Sequence, residues 1–461
     1  MGAINYYSTN RNITEAGFKP FKELVSFKDA LMVGQAPDAG LFMPERIPNI
    51  SKDELEDLRG KKYFEVAHFV LNKFLYEDIE SNHLLKLCKE AYNFPVPIEK
   101  VHDRKYILRL DRGPTASFKD FAARMMARLM GALKDQDKIL NILVATSGDT
   151  GSAVGEAFKG VNGINVFILY PEKEVSGRQK KQLDTIGGNV TTLSVNGKFD
   201  DCQNLVKMAF QDKDLSRFNL TSANSINIGR ILPQMIYYFY AYLEKSEEGE
   251  SAIISVPSGN FGNSLGCEFS RRMGLPIHKL IMAVNENDEF PTYLNSGKYQ
   301  KLSPSKACIS SAMNVGHPSN LARFFELYGG TVDKSGNVHK YPDLNKMNSN
   351  LISKSISDQL TRETIKNVYK EYNVLLEPHG AVGWAGLESY LKQQGDYPLC
   401  ISLETAHPAK FPEEIKSLLG FEPELPESMK DVDRREGSPV RIENDYAKLK
   451  NFLKHSLENK K

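Results

Sequence analysis

The sequence predicts an α/β protein built around a largely parallel β-sheet. In the central part of the chain, short β-rich apolar runs alternate with segments of helical pattern, which is typical of βαβ units. The apolar runs contain few polar interruptions, as expected for strands that helices cover on both faces. Residues 1–98 lack this alternation and are mostly helical in pattern, which indicates a separate N-terminal part.

These patterns predict the individual elements in order. Strands are predicted at Ile139–Ala145, Ile164–Tyr170, Asn189–Val195, Ser251–Val256, Ile277–Val284 and Leu399–Leu403. Helices are predicted at Gly151–Lys159, Ser176–Ile186, Asp200–Gln211 and Gly262–Met273. Residues 285–350 are rich in Ser, Asn, Gly and Pro and are expected to be loops. Near the end of the chain, apolar residues at helical spacing predict a docked amphipathic helix, namely Tyr446, Leu449, Leu453 and Leu457.

Composition excludes several classes of function. The chain of 461 residues is long enough for two to three domains of about 150 residues, and its 41% hydrophobic and 25% charged residues are ordinary for globular proteins. A net charge of +1 provides no electrostatic basis for binding nucleic acid or an anionic membrane. The longest apolar runs are strand-length, and the N-terminus lacks a secretory signal pattern. We therefore expect no membrane segment and a cytoplasmic location.

The cysteines favour neither disulfides nor a metal site. The five cysteines are odd in number, widely spaced and form no CxxC pair. We expect reduced, mostly buried thiols, no zinc site and no other metal.

The segment Arg112–Asp120 is the first candidate for a ligand site. It contains a Gly-Pro turn, followed by Ser117 and Asp120 at the spacing of a helix capping box. Lys119 is then predicted in the first helical turn, where the helix dipole lowers the pKa of an amine. A lysine that forms a Schiff base needs such a lowered pKa. A solvated lysine at a helix start is the alternative interpretation.

Two further segments connect a predicted strand to a predicted helix. Thr146–Ser152 and Pro257–Asn263 are rich in Gly, Ser, Thr and Asn. Backbone N–H groups, hydroxyl groups and the helix dipole converge on an anion at such turns. Neither segment has the GxxxxGK[ST] or GxGxxG pattern, and a plain strand–helix turn stays open as an interpretation of the first. Two anion sites and a lysine suggest a covalently held ligand with two anionic groups.

The last two segments carry weaker signals. Glu377–Gly383 and Glu404–Phe411 contain His379 and His407, and lone histidines are more often structural than catalytic. Thr405 follows a predicted strand, where α/β proteins place ligand contacts.

Taken together, these segments resemble the threonine synthase family of pyridoxal-phosphate (PLP) enzymes. The motifs occur in the order of the family, namely YST at 7–9, APDAGLFMP at 36–44, GPT–FKD, TSGDTGSA, SGNFGN, EPH–AVG and TAHPAKF. The sequence departs from the family pattern at Ala116-Ser117, where Leu-Ala is usual, and at Gly380, where Thr is common.

The resemblance implies PLP fold type II, the tryptophan-synthase-β-like fold. In that fold two parallel-sheet domains hold the cofactor between them, here preceded by a mostly helical N-terminal domain. We expect the N-terminal domain at 1–98, the large PLP-binding domain at 99–128 and 215–461, and the smaller α/β domain at 129–214.

The resemblance also implies the roles of individual residues. Lys119 matches the catalytic lysine that binds the cofactor covalently, and Thr405 matches the hydroxyl partner of its pyridine nitrogen. The loop for the cofactor phosphate matches Gly259, Asn260, Phe261, Gly262 and Asn263. The loop for the substrate carboxylate and the ring-oxygen side of the cofactor matches Ser147, Gly148, Asp149, Thr150 and Gly151. Positions that face the substrate phosphate match Asn227 and Arg230, with Ser117 and Lys410 as further candidates.

The implied activity is the conversion of O-phosphohomoserine and water into threonine and phosphate. Phosphate leaves by β,γ-elimination and water then adds at Cβ. Two alternatives stay open: a PLP-dependent phospho-lyase acting on a related phosphorylated amino acid or amino alcohol, and a non-catalytic binding protein on the same scaffold. The resemblance leaves both monomer and homodimer open as the oligomeric state.

Overall fold

Two mainly parallel β-sheets form the framework of the protein. The structure is a computed structural model that describes residues 2–146, 148–395 and 397–458. One sheet has six strands and the other has five, and two further sheets have two strands each. The α/β fold predicted from the alternation of strands and helices is confirmed.

The N-terminal part is mostly helical, as predicted. Its elements are β1 (Tyr6–Ser8), α1 (Phe27–Val33), β2 (Phe42–Pro44), α2 (Lys52–Glu56), α3 (Tyr63–Leu75) and α4 (Ser81–Ala91). The ring of Tyr63 packs edge-on against Phe121 and Tyr240, which lie in later helices. The N-terminal helices therefore share one hydrophobic core with the rest of the chain.

The middle of the chain alternates strands and helices. Its elements are β3 (Ile98–His102), β4 (Lys105–Arg109), α5 (Lys119–Leu133), β5 (Leu140–Ala145), α6 (Asp149–Phe158), β6 (Ile164–Pro171), α7 (Gly177–Asp184), β7 (Val190–Asn196), α8 (Phe199–Gln211) and β8 (Leu220–Thr221). Each strand predicted here is observed within two residues of its predicted bounds.

The remaining elements complete both sheets. They are α9 (Ile236–Lys245), β9 (Ala252–Pro257), α10 (Gly262–Arg272), β10 (Ile277–Val284), α11 (Glu289–Ser296), α12 (Leu321–Leu327), β11 (Thr331–Val332), β12 (Val338–Lys340), α13 (Leu344–Asn350), β13 (Leu351–Ser355), α14 (Asp358–Tyr372), α15 (Pro378–Gln394), β14 (Cys400–Glu404), α16 (Pro412–Leu419), β15 (Val440–Glu443) and α17 (Tyr446–Glu458). The terminal amphipathic helix is observed as α17, with Leu449, Leu453 and Leu457 buried.

The larger sheet has the strand order β13-β10-β9-β14-β4-β3, and only the β3–β4 pair is antiparallel. Its central strands β9 and β14 are buried along their whole length. Their carboxyl ends lead directly into Pro257–Asn263 and Thr405. Ligands of open α/β sheets bind at this edge, so the sheet brings two of the candidate segments together.

The smaller sheet has the order β15-β7-β6-β5-β8, and all its pairs are parallel. Two segments that the sequence-based boundary at residue 215 assigns to the large domain belong to this smaller sheet. β8 pairs with β5, and β15 pairs with β7. Ile442 and the buried leucines of α17 pack with the helix α8 in the core of the smaller sheet, which holds the C-terminal segment there.

Residues 285–350 contain three short helices, α11 to α13, rather than loops alone. Phe290 and Phe324 of these helices pack around Phe261 of the loop after β9. The helices have seven or eight residues each, and the Ser, Asn, Gly and Pro residues between them obscure their apolar faces. Composition alone therefore predicts loops here.

All five cysteines are buried, and none of them forms a disulfide. Within the described residues, no three or more His, Cys, Asp and Glu side chains are grouped to hold a metal ion. No helix of the described ranges combines the length and the apolar character that crossing a membrane requires.

Candidate active site

Lys119 is the first residue of α5, and backbone bonds fix its position beside β14. Ala116, three residues earlier, has a φ of 53°, a left-handed value that is uncommon outside glycine. The N–H of Phe118 donates to the carbonyl of Thr405 at 2.9 Å. The residue before Lys119 is thus bonded to the first residue after β14.

The predicted capping box of Ser117 and Asp120 is not formed. The helix begins at Lys119, one residue too late for Ser117 to be its N-cap. Asp120 instead accepts hydrogen bonds from the N–H and the hydroxyl of Thr115, at 2.9 and 2.7 Å. Among the described residues, the buried hydroxyl of Ser117 has no hydrogen-bond partner. It is therefore available to a ligand beside Lys119.

Asp149 lies between two lysines at the centre of the site. Lys119 Nζ is 3.8 Å from Asp149 Oδ2, and Lys410 Nζ donates to Asp149 Oδ1 at 3.0 Å. The amide of Gln179 also donates to Oδ1 at 3.0 Å. Although burial raises the pKa of Asp149, the two lysines outweigh it and hold that pKa well below its usual range. Asp149 is therefore an anion that counters both ammonium groups.

The pKa of Lys119 is lowered chiefly by burial, since its side chain is only 15% exposed. The positive charges of Lys410 and Arg230 lower this pKa further, while Asp149 opposes the change. The sequence predicts this lowering from the helix dipole, whereas in the structure desolvation is its largest cause. Either way, the amine is closer to the neutral form that imine formation needs.

The turn before α6 is held by the hydroxyl of Thr146. This oxygen accepts the N–H groups of Gly148 at 3.0 Å and Gly151 at 2.9 Å. A side chain at Gly151 would place its Cβ 2.5 Å from Thr146 Cγ2, so packing requires glycine there. Thr150 is partly exposed on the first turn of α6, whereas Ser147 lies outside the described residues. The N–H groups of Gly148 and Gly151 are therefore used within the turn, on the hydroxyl of Thr146.

The loop 259–263 has the geometry of an anion cradle at the start of α10. Phe261 has a φ of 62°, and its carbonyl accepts the N–H of Leu265 at 2.9 Å. The earlier N–H groups of the helix have no intrahelical acceptor and point ahead of it. At Gly259 a Cβ would lie 3.0 Å from the carbonyl of Ala312, so the backbone passes too close for a side chain. Asn260 is exposed at the rim.

Thr405 is bonded to a buried acid behind the site. Its hydroxyl lies 3.4 Å from Glu377 Oε1 and donates to it. The other oxygen of Glu377 contacts Nδ1 of His379, whose Nε2 accepts the N–H of Ala312 at 3.1 Å. His379 therefore carries its proton on Nδ1 and donates it to Glu377. The hydroxyl hydrogen of Thr405 is used on Glu377, so its oxygen is an acceptor toward the cleft.

A second buried acid occupies the space beside Gly380. Glu404 accepts the N–H of Glu377 at 2.7 Å and lies 3.5 Å from Nη1 of Arg109. Burial and the neighbouring Glu377 raise the pKa of Glu404 well above its usual value. A Cβ at Gly380 would lie 1.6 Å from Glu404 Oε2. With Glu404 in this position, there is no room for a side chain at position 380.

Arg230 and Asn227 lie in one turn but differ in what they can offer a ligand. Both amide hydrogens of Asn227 are used, on the carbonyls of Leu31 at 2.8 Å and Ser222 at 3.0 Å. Arg230 is buried, which lowers its pKa to about 10, and its Nη1 donates to the carbonyl of Ala223 at 3.0 Å. Its Nε has no partner among the described residues. The guanidinium therefore retains free donor capacity.

Sequence reasoning missed Arg323, which is completely buried in α12. Its guanidinium donates to the carbonyls of Phe42 at 3.0 Å and Ile226 at 2.7 Å and to Oδ1 of Asn320 at 2.6 Å. Burial lowers its pKa to about 9. Arg323 thus ties β2 to the turn that carries Arg230, and no local pattern around it signals this role.

The residues present fit PLP. Lys119 supplies an amine with a lowered pKa, and Thr405 supplies a hydroxyl acceptor. Three of the candidate residues have a buried polar atom without a partner in the described ranges: Ser117 Oγ, Arg230 Nε and Asn263 Nδ2. Unsatisfied buried donors are uncommon in native proteins, and donors and a hydroxyl at these predicted positions are suited to a polar, anionic ligand. The site can therefore hold a covalently bound cofactor and a second anion.

Three family descriptions match successive parts of the chain. Residues 5–92 match the threonine synthase N terminus, and residues 96–399 match pyridoxal-phosphate-dependent enzymes. Residues 380–453 match the C-terminal region of threonine synthase. Together the three matches span most of the chain.

Individual relatives match over nearly their whole length. The threonine synthase of Haemophilus influenzae is 39% identical over 437 residues, which cover 94% of this chain and 97% of that protein. The crystal structure of PLP-bound threonine synthase from Brucella melitensis has a TM-score of 0.89 and 34% identity, covering 98% of this chain and 99% of that chain. Threonine synthase from yeast has a TM-score of 0.87 and 32% identity, covering 99% of each chain.

Proposed function

The chain belongs to the threonine synthase family of PLP-dependent enzymes of fold type II, and from this membership we propose how its own residues divide the work. The reaction is the conversion of O-phosphohomoserine and water into L-threonine and phosphate, the last step of threonine biosynthesis, by a carbon–oxygen lyase that acts on phosphates. The observation that carries this conclusion is the 39% identity over 94% of the chain, with the candidate lysine inside the buried site.

Lys119 is proposed as the residue that holds the cofactor and then moves protons. The cofactor, bound through this amine, supplies an electron sink for the negative charge that develops when a proton leaves the substrate. Its lowered pKa leaves Lys119 able to take a proton from the substrate Cα and Cβ and to return one. Asp149 lies 3.8 Å from the Lys119 amine, and Lys410 is paired with Asp149 at 3.0 Å. These two charges determine the electrostatic environment of the amine.

Arg230 is proposed to bind the substrate phosphate, with Ser117 and Lys410 beside it. A guanidinium offers two parallel donors to a phosphate, which suits a leaving group that gains charge. Burial excludes water that would compete for these donors. Asn227 contributes indirectly, because its amide holds the turn in which Arg230 lies.

We propose that two loops bind different groups. The loop 148–151 contacts the substrate carboxylate and one side of the cofactor ring, and the loop 259–263 contacts the cofactor phosphate. Gly148, Thr150 and Gly151 lie toward the substrate carboxylate, and Asp149, which pairs with Lys119 and Lys410, lies toward the ring-oxygen side of the cofactor. The loop 259–263 binds the cofactor phosphate through N–H groups at the start of α10. Thr405 binds the pyridine nitrogen, and its bond to Glu377 orients its hydroxyl oxygen toward that nitrogen.

We also propose a cytoplasmic location and a monomeric or homodimeric state without nucleic-acid partners. The substrate is a small phosphorylated amino acid, and the near-neutral net charge of +1 supports no polyanionic partner.

Product analysis tests the proposal. The purified protein is incubated with O-phosphohomoserine, with and without added PLP, and phosphate and threonine are quantified. We expect equal molar amounts of threonine and phosphate in a PLP-dependent reaction. A 2-oxo acid or an aldehyde in place of threonine would instead support the related phospho-lyase. A colourless protein that PLP cannot reconstitute would support the non-catalytic binding protein.

A further inference from the structure

Two tyrosine hydroxyl groups of α9 meet at one amide oxygen of the loop 259–263. The hydroxyls of Tyr237 and Tyr238 each lie 2.5 Å from Asn263 Oδ1. Their other acceptors are farther away, at 3.4 Å for Gln234 Oε1 and 3.0 Å for the main-chain oxygen of Asn263. The two hydroxyls also contact each other, but the nearer of these two acceptors is for each the side-chain oxygen of Asn263, the acceptor that we assign to both.

The distances identify which end of the amide faces the tyrosines. O–H···O bonds fall at about 2.5–3.0 Å, whereas bonds that involve an amide nitrogen fall at about 2.7–3.2 Å. A separation of 2.5 Å from two hydroxyls therefore assigns the oxygen of Asn263 to this side. Two donors on one oxygen also prevent the amide from rotating.

The nitrogen of the same amide is left without a protein partner. Asn263 is 5% exposed, and its Nδ2 has no acceptor among the described residues. A buried N–H group without an acceptor costs about 1–3 kcal/mol, so such a group is usually satisfied by a ligand. Asn263 lies in the first turn of α10, whose leading N–H groups favour an anion.

The tyrosines are suited to hold this orientation at any working pH. Both are almost completely buried, and burial raises the pKa of each hydroxyl well above its usual value. They remain neutral donors as a result. The ring of Tyr237 also packs at 5.5 Å from Phe121, which lies two residues after Lys119 in α5. The pair thus contacts both the phosphate loop and the helix of the lysine.

We propose that Tyr237 and Tyr238 are positioning residues that hold the Asn263 amide with its N–H₂ group toward the cofactor phosphate. Without them, the amide could turn its oxygen toward the phosphate and repel it. This inference rests on the proposed function, because it takes the loop 259–263 as the phosphate site.

The test removes only the two hydroxyl oxygens. Tyr237→Phe/Tyr238→Phe is compared with Tyr63→Phe, whose buried hydroxyl has no partner among the described residues and whose ring also packs on Phe121. The dissociation constant of PLP and the ³¹P chemical shift of bound PLP are measured on the full-length protein. We expect the double variant to bind PLP about 10-fold more weakly, with a changed ³¹P shift, as loss of one oriented hydrogen bond to an anion predicts. The Tyr63→Phe protein should match the wild type.

A second variant covers the case in which the double variant does not fold. Asn263→Asp keeps the shape and one oxygen for the tyrosines but places a carboxylate oxygen where the N–H₂ group was. We expect PLP affinity to fall about 100-fold, because the loss of a donor is joined by repulsion of a dianion. Thermal unfolding of the cofactor-free proteins measures folding separately.

The outcomes separate this inference from the proposed function. Unchanged PLP affinity in Asn263→Asp, or an effect of the double variant no larger than that of Tyr63→Phe, overturns the positioning role alone. A wild-type protein that binds no PLP overturns both.

Discussion

The ammonium group of Lys410 donates to the carboxylate of Asp149 at 3.0 Å, in a contact that joins the two sheet domains. Lys410 follows β14 of the larger sheet, and Asp149 begins α6, which follows β5 of the smaller sheet. The second carboxylate oxygen of Asp149 is 3.8 Å from Lys119 Nζ. One anion therefore both connects the domains and faces the proposed catalytic amine.

Asp149→Asn should lower the pKa of Lys119 further, because Asp149 is the largest of the charges that raise it. More of the amine is then neutral at a given pH. The rate at which PLP reconstitutes the cofactor-free protein should reach its plateau at lower pH than in the wild type. Lys410 also loses its anion, so the free energy of unfolding should fall by about 3–5 kcal/mol.

Asp212→Asn is the matched control, since it removes a carboxylate that pairs with Lys450 far from the site. Its reconstitution profile should match that of the wild type. An Asp149→Asn protein with unchanged stability and an unshifted profile would show that Asp149 does not act on Lys119.

Arg230→Ala should lower kcat/KM for O-phosphohomoserine by about 30-fold or more. Loss of one member of a desolvated charge pair costs about 2–5 kcal/mol, and burial lowers the pKa of Arg230 without neutralising it near pH 7. Arg230→Lys should recover only part of the loss, because an ammonium cannot offer two parallel donors. Arg217→Ala, which removes an exposed pair with Glu458, provides the control. An unaltered kcat/KM in Arg230→Ala removes this residue from the phosphate site.

Much of the fold could be predicted because the strands are buried on both faces and read as continuous apolar runs. β5 and β9 are buried at every residue and were predicted within one residue of their observed bounds. The placement of β15 could not be predicted. It has four residues, two of them charged, and its partner β7 lies more than 200 residues earlier in the chain.

The candidate site was only partly predictable, for a related reason. Turns after predicted strands indicated Asp149 and the loop 259–263, and a parallel sheet brings such ends together, whereas Lys119 was predicted from a Gly-Pro turn and a helix start. The prediction of a capping box was wrong. Ser117 forms a β-bridge with Ala406, and α5 begins only at Lys119. Arg323 gave no signal, since its partner Phe42 lies 281 residues away and offers only a main-chain carbonyl.

Gly380→Ala should destabilise the fold, and Glu404 should be the cause. The added Cβ would lie 1.6 Å from Glu404 Oε2, and overpacking of this kind costs about 1–3 kcal/mol. In a Glu404→Ala background, Gly380→Ala should cost much less. A double-mutant cycle of urea unfolding measures this coupling.

Gly177→Ala is the control for the cycle, because no described atom lies within 4 Å of its added Cβ. We expect its stability to match the wild type within about 0.5 kcal/mol. Equal costs of Gly380→Ala in both backgrounds would show that Glu404 does not exclude a side chain at position 380.

His407→Gln should remove part of the acid sensitivity of the fold. Burial, aided by Arg112, Arg109 and Lys410, lowers the pKa of His407 from 6.5 to about 3. The folded state favours the neutral ring, so this contribution is complete above pH 6.5 and is lost as the pH falls toward 3. Between pH 7 and 5 the wild type should lose about 1–2 kcal/mol more than the variant in urea unfolding.

The exposed His83→Gln is the control, and its pH dependence should follow the wild type. If His407→Gln and wild type lose stability in parallel between these pH values, His407 is not held neutral by the fold.

The central claim is that the amine of Lys119 carries the cofactor, and one labelling experiment tests it most directly. The protein is incubated with PLP, reduced with borohydride, digested and examined by mass spectrometry. Lys119→Arg, which keeps the charge opposite Asp149 but cannot form the linkage, is treated in parallel. We expect a pyridoxyl group on Lys119 in the wild type, none at position 119 in the variant, and less than about 0.1% of wild-type turnover in the variant. A wild-type protein labelled at Lys410 or another lysine, with Lys119 unmodified, would contradict the account.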